Sequence, residues 1–128
     1  MAIAQPVLGT RMHSLGVVLR GHLLPARWIE FLHEVARAIG MSAVADPVVF
    51  DYPIDGKGGT GQTVMLPITE SFIVLDTWSD HSGAYLFVCS CRPYFSADVD
   101  KVAATFGLKP GMNGGGRFYA ELDLQARA

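Results

Sequence analysis

The chain has 128 residues, half of them hydrophobic and 17% charged, with a formal net charge of −2 and a pI near 6.0. This fits one domain over residues 1–128 with a full core, and the lack of a basic excess argues against a nucleic-acid partner. No apolar run approaches a membrane span and no charged-then-apolar leader opens the chain, so no membrane association or export is expected. Cys89 and Cys91, two residues apart, are too close for an ordinary disulfide and read as free thiols of a reducing cytoplasm.

After a loose lead-in, Met12 to Arg20 reads as a strand. Pro25 suits the first turn of a helix, and Trp28, Ile29, Leu32, Val35, Ala36 and Ile39 recur at helical spacing, giving an amphipathic helix over Ala26 to Ile39 closed by Gly40. Ser42 to Tyr52 follows as a strand. Residues 53–61 form a glycine-rich loop. It differs from a phosphate-binding loop because Lys57 precedes Gly58 rather than Ser or Thr, and because a strand rather than a helix follows. Gln62 to Leu66 is that strand.

Thr69 to Trp78 is the strand around which the rest is organised. Ser71, Ile73, Leu75 and Thr77 face one way; Phe72, Val74, Asp76 and Trp78 face the other. Both faces are mostly apolar, so both should be covered, and Ser71 and Asp76 then need a partner or a purpose. A turn over Ser79 to Gly83 leads to a strand, Ala84 to Cys91, with Tyr85, Phe87, Cys89 and Cys91 on one face. Ser96 is a candidate N-cap for a second helix carrying Val99, Val102, Ala103 and Phe106. Arg117 to Leu124 alternates as a last strand. The order predicts an α+β two-layer sandwich of two similar halves, with a mostly antiparallel sheet and both helices on one face.

Among chemistries, metal binding lacks a motif. His13, His22, His33 and His81 fall in no ligand spacing, and Cys89 and Cys91 have no second pair. A hydrolase is disfavoured because Ser71 is not on a nucleophile elbow.

One set of residues does stand in register with a known pattern. Glu70-Ser71 is followed by Thr77-Trp78, Cys91 lies thirteen residues after Trp78, and Thr63 lies eight before Ser71. The set resembles the prokaryotic S-adenosylmethionine decarboxylase proenzymes, which cleave themselves at Glu-Ser and convert the serine to a pyruvoyl group. The resemblance is densest from Gln62 to Cys91. It implies that Ser71 is the pyruvoyl precursor, Glu70 the residue left behind, Thr63 a processing hydroxyl and Cys91 a proton donor. Trp78, Asp80 and an aromatic at Phe50 would lie at the substrate. The implied activity is decarboxylation of S-adenosylmethionine or a related amino acid in polyamine biosynthesis, by a homodimer acting on a small molecule.

The chain also departs from the pattern. Asp76 stands where the family has a histidine, Phe72 replaces the histidine after the serine, and Ser79 to Ser82 replace Pro-Glu-Tyr-Gly. His81, paired with Asp76, could supply the missing imidazole. The alternative is a relative that does not process itself and serves as a ligand-binding or regulatory protein. Each residue also has a plain reading. Ser71 would be an ordinary strand serine, Cys91 a small buried hydrophobe, Trp78 a core or interface aromatic and Asp76 a turn cap.

Overall fold

The computed structural model describes residues 11–53, 60–69, 71–78, 82–111 and 115–123. The described elements run β1 (Arg11–Arg20), α1 (Pro25–Ala38), β2 (Val48–Pro53), β3 (Thr60–Ile68), β4 (Ser71–Thr77), β5 (Gly83–Ser90), α2 (Ser96–Thr105), β6 (Lys109–Pro110) and β7 (Arg117–Asp123). They form one antiparallel sheet in the order β2-β3-β4-β5-β1, with β6 and β7 both pairing the far side of β1. The architecture is the expected α+β one. The central pair β1 and β5 each lead into a helix and run antiparallel, which is the sense in which the two halves match.

The helices form as their sequences dictate. Pro25 opens α1 and Trp28, Phe31, Leu32, Val35 and Ala36 are buried along one stripe. Gly40, at φ 78°, lets the chain turn back so that Met41 N–H reaches the Ala36 carbonyl at 2.9 Å, a conformation that costs a glycine little. In α2 the buried stripe is Val99 and Ala103. Phe95, not Ser96, holds the cap position, and no side chain caps the helix. Phe31 and Phe106 join the two helices edge to face, with ring centroids 5.4 Å apart.

The core lies between these helices and the inner face of the sheet, where Leu15, Val17, Leu19, Val64, Leu66, Ile73, Leu75, Leu86 and Val88 are all buried. Two strand boundaries differ from expectation for identifiable reasons. Residues 42–47 make only an isolated bridge, Ala43 with Ile68, before β2 begins at Val48. β3 runs on past Leu66 to Ile68 and so includes Pro67. Its carbonyl accepts from Val44 N–H at 3.1 Å, so its nitrogen faces the bridge segment that precedes β2, and the β2–β3 ladder itself loses no bond.

The outer face of the sheet is not covered by any described element. Phe50, Met65, Phe72, Tyr85, Phe87 and Phe118 are exposed there. The expectation that β4 is covered on both sides is met by this chain on the inner side alone. No described helix is long and apolar enough to cross a membrane.

Candidate functional site

Strand register assigns the candidate residues to two ends of the sheet. Ile68 pairs with Ser71, so β3 and β4 are joined by two residues, Thr69 and Glu70. Ser71 is the first residue of β4 and pairs with Ser90 on β5, which pairs with His13 on β1, which pairs with Glu121 on β7. Alternation along each strand puts this row on the inner face. Ser71 is half-buried, Ser90 fully buried and His13 buried.

Hydrogen bonds hold this end together. The Ser90 hydroxyl oxygen accepts from Arg92 N–H at 2.9 Å. His13 Nδ1 lies 3.0 Å from the Tyr119 hydroxyl and 3.3 Å from Glu121 Oε1. Tyr94, stacked edge to face on Tyr119, donates to the Val88 carbonyl at 2.6 Å. Burial, reinforced by Tyr119 and Cys89, pushes the Tyr94 phenol well above its ordinary range, and burial followed by Glu121 raises Tyr119. Ser71 Oγ lies against Met12 Sδ at 3.9 Å. Cys91 follows Ser90 just past the end of β5, half-buried and free.

Asp76 belongs to the outer face and to the other end. Five residues of strand separate it from Ser71, roughly 16 Å at the usual rise. The Thr63 hydroxyl donates to Asp76 Oδ1 across the β3–β4 pair. Phe50 lies opposite Thr63, and Tyr85 opposite Asp76. Trp78 follows β4, its ring 5.7 Å from that of Tyr85. Phe50, Thr63, Asp76 and Tyr85 therefore form one row on the outer face, with Trp78 at its side. Glu70, Asp80 and His81 lie outside the described residues, as does most of the glycine-rich loop.

Between the two ends the outer face carries an apolar hollow of about 190 Å³, lined by Gly16, Val18, Tyr85, Phe87 and Phe118, with Arg117 at the rim. Among the described residues, no three His, Cys, Asp or Glu side chains come together as a metal site. Sequence reasoning missed Ser90, Tyr85 and the alignment of His13 with Ser71. The only signal for these is strand pairing, which joins residues as far apart as 13, 71 and 90.

No family model and no curated protein matches the chain. Among solved structures, it is similar to the adenosylmethionine decarboxylase from Aquifex aeolicus VF5, with a TM-score of 0.53 at 16% identity, covering 90% of each chain. At that identity the likeness shows the fold: this chain has an adenosylmethionine decarboxylase-like fold.

Proposed function

We propose that the chain is a self-processing, pyruvoyl-dependent decarboxylase acting on S-adenosylmethionine or a related amino acid. The observation that carries this reading is the position of Ser71, the first residue of β4, separated from the end of β3 by two residues and paired with Ser90 beside Cys91. In the processing step, Ser71 Oγ attacks the carbonyl carbon of Glu70, and the bond to the Ser71 nitrogen breaks as that nitrogen takes a proton. The ester then eliminates: a base takes the Ser71 Cα proton, the Cβ–Oγ bond breaks as the Cα–Cβ double bond forms, and Glu70 leaves with a carboxylate. Hydrolysis of the remaining dehydroalanine releases ammonia and leaves a pyruvoyl at position 71.

The residues present fit that group. Paired antiparallel residues lie about 5 Å apart, so Ser90, which already accepts from Arg92 N–H, keeps its own proton to donate beside position 71. Once formed, the group supplies the electron sink for loss of CO2. Cys91 then delivers the proton to the product carbon; Trp78, Tyr85 and Phe50 lie on the outer face at the other end of the sheet, apart from position 71. The apolar middle of the outer face, around Phe72, Phe87 and Phe118, is covered by a second copy of the chain, making a homodimer.

The variant Ser71→Ala tests this reading: it stays a single chain, whereas Cys91→Ala still cleaves and loses decarboxylation. Cleavage that persists in Ser71→Ala overturns it. A second reading, a non-processing relative that binds a small ligand, is favoured by one observation. Asp76 stands where the resemblance calls for histidine and is already bonded to Thr63.

A further inference from the structure

Beside Trp78, one end of the outer face carries two cations, Arg20 and Lys109, that the decarboxylase reading does not use. Trp78 N–H bonds to the Gly83 carbonyl, Gly83 pairs with Arg20, and Arg20 pairs with Lys109. These four residues form one row, from just past the end of β4 across β5 and β1 to β6. Gly83 admits no side chain, since a Cβ there would fall 2.3 Å from the Leu19 carbonyl oxygen and 3.3 Å from the Trp78 ring. The floor between the indole and Arg20 is therefore bare. A hollow of about 570 Å³ opens over it, lined by Arg20, Gly21, Trp78, Ser82, Gly107 and Lys109.

The charges here are unbalanced. Arg11, Arg27, Arg37 and Arg117 each face a carboxylate. Arg20 and Lys109 have no ion-pair partner among the described residues, yet they stand directly opposite each other. Like charges so placed disfavour the fold. A guanidinium and an ammonium can only donate. Their complement is a group that only accepts and carries negative charge.

We infer that this hollow binds the carboxylate or phosphate of a small molecule, with a flat portion of that molecule resting on Trp78. Charge-assisted bonds to Arg20 and Lys109 supply most of the affinity, and the anion relieves their mutual repulsion. This site does not depend on self-processing and is present in the uncleaved chain.

Trp28 is buried in the core, so fluorescence changes on ligand addition report Trp78. The full-length protein is titrated with inorganic phosphate, and separately with citrate, at constant ionic strength set with sodium chloride. A saturable change is expected with at least one of them. Phosphate alone identifies a phosphorylated ligand, and citrate alone a carboxylate. Arg20→Gln and Lys109→Gln should each raise the midpoint about tenfold, the loss of one charge-assisted bond. Their melting temperatures without ligand should be equal to or above that of the parent. A response no greater than that to sodium chloride, or midpoints unchanged in either variant, overturns the inference.

Discussion

The Thr63 hydroxyl donates to the Asp76 carboxylate across the β3–β4 pair, on the face of β4 opposite to Ser71. Asp76 therefore has a structural partner of its own, at a distance along the strand from the Glu70–Ser71 bond. Replacing Thr63 by Val should cost about 1 kcal/mol, the usual net worth of one such bond. In the Asp76→Ala background the same change should cost much less. Urea denaturation of the four proteins checks this, and additive costs would place the carboxylate's role elsewhere.

Gly16 pairs with Phe118, and a Cβ at Gly16 would fall 2.1 Å from Phe118 Cε1. Gly16→Ala should swing the ring away from Phe87, now 6.3 Å from it between centroids, and destabilise the fold by about 1 kcal/mol or more. In a Phe118→Ala background, Gly16→Ala should be close to neutral. Thermal melts of the double-variant set decide it.

Tyr94 is buried, donates to the Val88 carbonyl and has its phenol pKa raised, chiefly by burial. A neutral phenol is thus favoured more by the folded state than by the unfolded chain. Its contribution is fully present below the ordinary phenol value of about 10 and is lost as pH rises from there through the higher folded value. Stability should fall steeply above about pH 10. Tyr94→Phe should lose about 1 kcal/mol at neutral pH and show a shallower alkaline decline. Urea melts from neutral to strongly alkaline pH measure both effects.

The outer face exposes Phe72 at 39% and Phe87 at 37%, flanked by Tyr85 and Phe118. With a second copy covering that face, Phe87→Asp should weaken self-association at least tenfold, as the loss of a central aromatic anchor does. Sedimentation equilibrium of the parent and the variant reads this directly. A monomeric parent would remove the dimer from the account.

Much of the fold is legible in the sequence because its elements carry their own periodicity. Trp28 through Ile39 repeats at helical spacing, Ser71 through Thr77 alternates, and glycines stand where the helices end. The β3–β4 boundary is less legible. A proline seldom sits inside a paired strand, and only the start of β2 at Val48, opposite Met65, explains how Pro67 fits inside β3. β6 is two residues long and has no periodicity to detect. At the site, the separation of Ser71 and Asp76 onto opposite faces follows from counting along one strand. The neighbours that matter most, Ser90 opposite Ser71 and Arg20 opposite Lys109, are fixed by pairing between distant segments and leave no local trace.

The central claim is cleavage of the Glu70–Ser71 bond, and the intact mass of the purified protein under denaturing conditions tests it most directly. The account predicts two species: one ending at Glu70, and one beginning at position 71 with a blocked N-terminus lighter than serine by the change to pyruvoyl. A single full-length species that persists through prolonged incubation would contradict it, leaving an adenosylmethionine decarboxylase-like fold that works through ligand binding alone.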